Sequence, residues 1–270
     1  LADRIDTVVF ENGAVTAYTY DSRGRPTRIL TYSGETTLLD LNYTFDAVGN
    51  VLAINDEEYA YDALDRLTYG SGPWGTYNYT YDPAGNLLEL EQNGDSTAFT
   101  YASYNRLTAM GDFDFTYDDN GNMLTKADGV EEWEYGYDFE NRLANVTKDS
   151  QLIQTNQYGS GGRRVMATSD DISIVYTYRG VSILYERNLT SGAEVDRIYA
   201  QGLMIAKLSN DVAHYYHQDA LGSVRLVTNP AVEITFGSNY VPFGTSVNTT
   251  GAEAFMYTGK PVDDITGLYY

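Results

Sequence analysis

The two histidines, His214 and His217, are the residues around which hydrolytic or metal chemistry would have to be built. A Ser-His-Asp triad needs a histidine base beside a nucleophile, and zinc sites usually take histidine or cysteine ligands. The sequence contains no cysteine, which excludes disulfides and thiolate metal sites, and no Gly-x-Ser-x-Gly nucleophile elbow. We therefore expect no catalytic residues, no metal site and no cofactor.

A row of aspartates recurs along the chain and could supply calcium ligands, because Ca²⁺ prefers carboxylate and carbonyl oxygens. Each aspartate is followed by residues such as Gly-Asn, Asn-Arg or Asp-Arg, which tolerate left-handed backbone in turns. One aspartate per segment supplies too few oxygens for calcium, so a turn is the better interpretation. Arg66, Arg106 and Arg142, which could bind an anion, are expected to pair with turn acids. These aspartates are Asp21, Asp46, Asp62, Asp82, Asp118 and Asp138.

Two patterns near the C-terminus have only a partial likeness to enzyme motifs. Gly259-Lys260 is not a phosphate-binding loop, because Ala254 occupies the first glycine position and Pro261 replaces Ser or Thr. The adjacent acids Asp263 and Asp264 suggest an aspartyl-protease pair, but neighbouring residues on an extended chain point in opposite directions. Neither pattern predicts catalysis.

Composition narrows the classes of partner. The chain has 270 residues, of which 43% are hydrophobic, and a formal net charge of -21. This charge repels nucleic acid and anionic membranes, and no apolar run approaches the roughly 18 residues of a membrane span. We expect an extracellular or cell-surface protein, with glycans as possible partners at five Asn-x-Ser/Thr sequons. The sequons are Asn42, Asn78, Asn145, Asn188 and Asn248.

Stretches such as Tyr81-Asp82-Pro83-Ala84-Gly85-Asn86 return along most of the sequence, and this repetition is its dominant signal. The repeated aromatics are 16 to 25 residues apart, a spacing found in solenoids, propellers and arrays. The repeat positions are Tyr20, Asp21, Phe45, Asp46, Gly49, Tyr61, Asp62, Tyr81, Asp82, Gly85, Tyr101, Tyr117, Asp118, Gly121, Tyr137 and Asp138, and degenerate copies follow at Tyr158 and Tyr178.

Before each turn the aromatics alternate with Thr or small polar residues, and this period of two indicates strands. We predict an all-β fold of stacked antiparallel hairpins, each of about 20 residues, in a long curved or spiralling sheet stabilised by aromatic ladders. The many tyrosine hydroxyls favour a wet face or cavity lining. Three segments are expected: a hairpin array over 1–158, degenerate repeats over 159–213, and a distinct module over 214–270 with no further copies.

The repeats Tyr-Asp-x-x-Gly-Asn-Leu and Tyr-Asp-x-x-Asn-Arg-Leu resemble the YD repeats of the RHS family. The C-terminal stretches Tyr215–Arg225, Tyr240–Gly244, Tyr257–Pro261 and Thr266–Tyr270 resemble the core module of that family. The resemblance implies a hollow β-shell, which in many members encloses a C-terminal effector such as a toxin, and a structural hydrogen bond at His217. The matching core positions are His217, Asp219, Leu221, Gly222, Ser223, Arg225, Pro242, Gly244, Gly259 and Gly267.

The sequence departs from that family at its end, because the self-cleavage motif expected beyond Gly-Leu-Tyr-Tyr is not found before Tyr270. We therefore expect a non-catalytic scaffold and, since the chain starts in mid-pattern without Met, a mature product or fragment. Three alternatives stay open: a filament formed by edge-to-edge sheet pairing, an adhesion or carbohydrate-binding module, and an autoprotease, which would need a downstream segment. Apolar stretches at Thr7–Phe10 and Leu268–Tyr270 predict that both ends pair with flanking sequence or further copies.

Overall fold

The computed structural model describes residues 4–263 and 265–268 and consists of antiparallel β-strands. Helical geometry among these residues is limited to three short 3₁₀ turns, at Ser103–Asn105, Pro242–Gly244 and Tyr257–Gly259. The predicted all-β fold of antiparallel hairpins is confirmed. The stretch 145–157, which is rich in Thr, Gln and Asn and lacks a helical period, contains parts of two paired strands.

The first strands are β1 (Thr7–Val9), β2 (Val15–Tyr20), β3 (Pro26–Ser33), β4 (Thr36–Phe45), β5 (Val51–Ile54), β6 (Glu57–Tyr61), β7 (Leu67–Gly72), β8 (Gly75–Tyr81), β9 (Leu87–Gln92), β10 (Asp95–Ala102), β11 (Arg106–Met110), β12 (Phe113–Tyr117) and β13 (Met123–Ala127). They are followed by β14 (Glu132–Tyr137), β15 (Leu143–Lys148), β16 (Gln151–Tyr158), β17 (Arg164–Ser169), β18 (Ile172–Arg179), β19 (Ser182–Asn188), β20 (Glu194–Ala200), β21 (Leu203–Ser209), β22 (Val212–Gln218), β23 (Val224–Thr228), β24 (Ile234–Tyr240) and β25 (Ser246–Thr250).

The chain divides into two compact units. The first combines Leu1–Tyr77 with Arg197–Tyr270, and the second is Asn78–Asp196. In the first unit, consecutive strands pair from β1 to β7 and again from β21 to β25. In the second unit, consecutive strands pair from β9 to β20. The three segments predicted from repeat character remain a prediction about sequence organisation.

The repeated aromatic coincides with a break in strand register. Tyr61 pairs with Leu67 while Ala60 pairs with Tyr69, so one residue is left over between them. Such an extra residue is a β-bulge, which bends the strand and increases its twist. The same shift occurs at the aromatic residue that ends β2, β4, β12, β14 and β16, and at Gln218, which ends β22. Each of these repeats therefore carries its bulge immediately before its turn.

Two apolar clusters of buried side chains can be defined among the described residues of the first unit. One joins the N-terminal residues Phe10 and Ala14 to Ala206 and Tyr215 of β21 and β22. The other contains Ile29, Leu41 and Tyr43 of β3 and β4. Phe10 is buried, Val9 is 72% exposed, and β1 pairs with β2. The first and last parts of the chain thus share one core. The expected pairing of the N-terminal end with flanking sequence or further copies remains a prediction. Tyr269 and Tyr270 lie outside the described residues.

Candidate functional site: the repeated turns and the buried core motif

Each repeat turn is built around its aspartate. The backbone N-H of Asp62 donates to the carbonyl of Arg66 (2.9 Å), and that of Asp65 donates to the carbonyl of Asp62 (3.1 Å). The carboxylate Oδ1 of Asp62 accepts from the backbone N-H groups of Leu64 (2.8 Å) and Arg66 (3.0 Å), and Oδ2 accepts from Arg66 Nε (2.6 Å). The same backbone pair closes the turns at Asp21, Asp82, Asp118 and Asp138, and Asp46 makes the first of these bonds.

The turn carboxylates are therefore occupied by protein donors. The side-chain hydrogen bond from Arg66 is the largest cause that lowers the pKa of Asp62, and the corresponding bond from Asn86 lowers the pKa of Asp82. No group of three or more His, Asp or Glu residues able to hold a metal ion occurs within residues 4–263 and 265–268. The geometry thus favours the turn interpretation of these aspartates over calcium binding.

Side chains also link one turn to the next. Asn50 Nδ2 donates to its own turn aspartate, Asp46 (2.9 Å), and to Asp65 of the following turn (2.9 Å). Asn86 and Asn122 make equivalent bonds to Asn105 and Asn141 (3.1 and 2.9 Å). Where arginine replaces asparagine, it reaches a backbone carbonyl, as Arg25 Nη1 does at Asp46 (2.9 Å). The residue four places after the aspartate therefore connects neighbouring repeats.

The tyrosine hydroxyls have a defined role that the sequence did not reveal. Tyr61 Oη donates to the carbonyl of Val51 (2.9 Å), and Tyr101 Oη donates to that of Leu87 (2.9 Å). Each acceptor lies five residues after the preceding turn aspartate. Tyr158, Tyr178 and Tyr240 make the same kind of bond (2.8, 2.8 and 2.7 Å). These five hydroxyls therefore bond backbone carbonyls of the neighbouring repeat. The wet face or cavity lining expected for the tyrosines in general remains a prediction.

The turn geometry continues into the C-terminal module, where no further copies were expected. Four segments have this geometry: 219–223, 229–233, 241–245 and 256–260. In each, the N-H of the first residue donates to the carbonyl of the fifth, and the N-H of the fourth donates to the carbonyl of the first. Asp219 occupies the aspartate position, with Oδ1 accepting from Leu221 and Ser223 (both 2.9 Å). An aromatic residue followed four positions later by glycine, as in Tyr240 and Gly244, is a signal that could have identified two of these copies.

His217 connects the two ends of the chain inside the first unit. Its Nε2 lies 3.0 Å from Thr228 Oγ1, and its Nδ1 lies 3.3 Å from Thr16 Oγ1. Thr16 Oγ1 is in turn 2.8 Å from Thr31 Oγ1. The imidazole is 1% exposed, and its ring centroid is 4.7 Å from that of Phe10. Burial lowers the pKa of His217 to about 4, so the ring is neutral at physiological pH. An imidazole closed off from solvent and held by hydroxyls is a structural element rather than a general base.

Other bonds strengthen this connection. Asn12 Nδ2 donates to Thr228 Oγ1 (3.1 Å) and to the carbonyl of Asn229 (2.8 Å). The N-H of Ala220 donates to Tyr43 Oη (3.2 Å). Side chains from the first 43 residues therefore bond residues between His217 and Asn229.

A buried charged pair lies beside the 219–223 turn. Arg225 Nη1 is 3.7 Å from Asp219 Oδ2, and Arg225 Nη2 donates to Asn239 Oδ1 (2.6 Å). Burial raises the pKa of Asp219, although Arg225 acts in the opposite direction. Hydrogen bonds therefore lower the pKa of the aspartate in the exposed turns, such as Asp62 and Asp82, whereas burial raises it in this buried turn.

The remaining core positions pack closely. A Cβ at Gly259 would lie 2.9 Å from the carbonyl oxygen of Gly222, so only glycine fits without a shift. Gly244 lies against the ring of Tyr257, and Pro242 lies over Gly70. Ser223 Oγ accepts from the N-H of Thr258 (3.1 Å), and Gly267 is in a turn closed by Asp263.

The other predicted sites have simple surroundings. Asp263 Oδ1 accepts from the backbone N-H groups of Ile265 and Thr266 (both 3.2 Å), a turn arrangement, whereas Asp264 lies outside the described residues. His214 is partly buried, and burial is the largest cause that lowers its pKa. Tyr77 and Tyr79, at which sugar stacking was considered, are each 5% exposed, which argues against carbohydrate stacking on these two rings.

The sequons differ in accessibility. Asn42, Asn145 and Asn248 are exposed, whereas Asn78 and Asn188 are only partly exposed. Asn145 lies directly against Gly136, where a Cβ would approach its Oδ1. The side chain of Asn188 accepts from the N-H groups of Thr190 and Ser191 (both 2.9 Å). Glycosylation at any of the five remains a prediction.

Curated relatives match almost the whole chain at low identity. The tRNA3(Ser)-specific nuclease WapA of Bacillus spizizenii is 28% identical over 273 residues, and the tRNA nuclease WapA of Bacillus subtilis is 27% identical over 273 residues. Both alignments cover 96% of this chain. The chain spans only 9% of the length of each of these relatives.

Solved structures share the fold. The Photorhabdus luminescens Tc holotoxin pore with a mutated TccC3 matches with a TM-score of 0.79 and 20% identity, over 98% of this chain and 16% of that chain. The TcdB2-TccC3-TEV crystal structure matches with a TM-score of 0.77 and 20% identity, over 96% and 16%. The family model described as Teneurin YD-shell matches residues 12–269. Because this family model covers nearly the whole chain, the chain belongs to the Teneurin YD-shell family.

Proposed function

We propose that this chain is a non-catalytic part of a shell that encloses or presents a C-terminal effector of a secreted or cell-surface protein. The observation that carries the proposal is the closure of the chain on itself, in which the core module around His217 bonds the N-terminal strands through Thr16. Phe10 and Ala14 also share an apolar cluster with Ala206 and Tyr215, so the first and last strands of the proposed wall are packed against each other.

The hydrogen-bonded turns support the same proposal. Each repeat satisfies its own turn aspartate, donates through its tyrosine to the previous repeat, and reaches the next repeat through asparagine or arginine. Repeat proteins gain most of their stability from such nearest-neighbour contacts. The nuclease names of the WapA relatives suggest a toxin-like effector, and since this chain spans so little of those proteins, any such activity is assigned to polypeptide outside it.

Protease protection tests the proposal. The protein that carries this chain is isolated from its source, its intact mass is measured, and it is digested under native conditions. We expect polypeptide C-terminal to residue 270 to persist until the shell is unfolded, because the wall excludes the protease. The result that would overturn enclosure is an intact mass that ends near residue 270, or a C-terminal polypeptide digested as fast as in the unfolded control.

A further inference from the structure

A cavity of about 230 Å³ lies in the first unit, between β5–β7 and the core module. Val51, Ile54 and Leu67 line one side, and Tyr240, Val241 and Tyr257 line the other. The lining is mostly apolar, with Glu57, Asp219 and Arg225 as its charged members. Concave apolar sites with a few fixed polar groups are the usual form of ligand pockets. The proposed shell function does not use this cavity.

The rim of the cavity carries two large apolar side chains that face solvent. Leu221 is 68% exposed and Phe243 is 63% exposed. Phe243 also has a backbone φ of 65°, a left-handed conformation that costs free energy for a bulky residue and that often marks a functional position. Exposed apolar groups around a concavity are typical of an interaction site.

The charged members are unevenly satisfied. Glu57 accepts from Tyr59 Oη (2.7 Å) at one oxygen and from Trp74 Nε1 (3.2 Å) at the other. Arg225 is 7% exposed, and its Nη1 is 3.7 Å from Asp219 Oδ2, too far for a hydrogen bond. A buried donor without an acceptor is costly. A ligand that supplied an acceptor to Arg225 would remove that cost.

Two acids already line the cavity, so a carboxylate ligand would add a third negative charge beside Glu57 and Asp219. A neutral carbonyl avoids this repulsion and still accepts from a guanidinium. An apolar group next to a neutral carbonyl is the chemistry of an internal peptide residue. We propose that the cavity binds a large apolar side chain from an extended segment of a partner polypeptide, whose backbone carbonyl accepts a hydrogen bond from Arg225.

Fluorescence of Trp74 provides a direct test, because its indole bonds Glu57 in the cavity lining. The Trp133→Phe variant of the full chain leaves Trp74 as the single tryptophan. We expect N-acetyl-phenylalaninamide to change this fluorescence saturably, with a Kd on the order of 1 mM for so small a ligand. N-acetyl-phenylalanine, which keeps the side chain but carries a carboxylate, should bind about tenfold more weakly. The pentapeptide acetyl-Gly-Gly-Phe-Gly-Gly-amide should bind at least as well as the single residue.

The matched variants are Phe243→Gly and Tyr104→Gly. Tyr104 is 88% exposed with a φ of 67° in a similar 3₁₀ turn, so both changes remove an exposed aromatic and relieve the same backbone strain. We expect Phe243→Gly to weaken binding about tenfold and Tyr104→Gly to leave it unchanged, with thermal midpoints confirming that both variants fold. Equal effects of the two variants, equal binding of the carboxylate, exclusion of the pentapeptide, or no saturable signal would each overturn the proposal.

Discussion

Acidification should destabilise the first unit through His217. The ordinary histidine pKa is 6.5 and that of His217 is about 4, so the folded state disfavours the charged ring. For a base with a lowered folded pKa, stability is complete well above 6.5 and is lost as pH falls towards the folded pKa. Between about pH 8 and about pH 5 this linkage amounts to a loss of about 2 kcal/mol.

The variant His217→Gln isolates this effect. Glutamine offers a donor and an acceptor to Thr16 and Thr228 but does not ionise. The stability of the variant should therefore lack the pH-dependent contribution of the histidine. His214 has a lowered pKa and acts in the same direction, and Asp219 has a raised pKa and acts in the opposite direction. Both residues are present in wild type and variant, so their effects cancel in the comparison.

Urea unfolding provides the measurement, with Trp74 as the reporter of the first unit in the Trp133→Phe background. We expect the free energy of unfolding to fall by about 2 kcal/mol more in wild type than in the variant between about pH 8 and about pH 5. The turn aspartates, whose pKa values are lowered, stay ionised in this range. Equal losses in the two proteins would refute the argument that His217 is held neutral by burial.

Three further outcomes are expected from the repeats. Tyr79→Ala should lower the free energy of unfolding by about 2 to 4 kcal/mol, whereas Thr80→Ala, at an exposed position, should lower it by under about 1 kcal/mol. Equal losses in urea titrations would show that the buried face of the strand is misassigned. Gly85 has a φ of 94°, and no atom lies within 4 Å of the point that a Cβ would occupy. Because only backbone strain then distinguishes the two variants, Gly85→Val should lower the thermal midpoint more than Gly85→Asn. Equal midpoints would contradict this. Tyr101→Phe, which removes the bond to Leu87, should cost about 1 kcal/mol in the same titrations, and no loss would mean that water replaces the bond.

Local features of the fold were predictable because their physical causes lie close together in sequence. Alternating aromatics before Asp62 and Asp82 predicted strands, and the residues after them predicted turns, since both signals act within a few residues. The partner of a tyrosine hydroxyl was not predictable, because Tyr101 Oη could bond water or any nearby carbonyl until strand register is known. The β-bulge at the repeated tyrosine sets this register, and no residue type other than the tyrosine marks its position in the sequence.

The candidate site was only partly predictable. The structural role of His217 was expected from the core motif, but its partner Thr16 was not, because no pattern near Thr16 distinguishes it from the other strand threonines. The cavity was not predictable either, because Val51 and Tyr257, which both line it, are far apart in the sequence and meet only in the folded first unit. Copies of the turn in the core module went unrecognised because three of them lack the aspartate that marks the earlier repeats.

The bond between Thr16 and His217 joins residues 201 positions apart, and this separation sets an order of events during synthesis. Neighbouring strands can pair as soon as they leave the ribosome, whereas Phe10 and Thr16 must wait for their partners. At about 5 to 20 residues per second, the delay is about 10 to 40 s. The nascent N-terminal strands therefore spend many seconds with an uncovered apolar surface, and the step that completes the first unit is also the last to become possible.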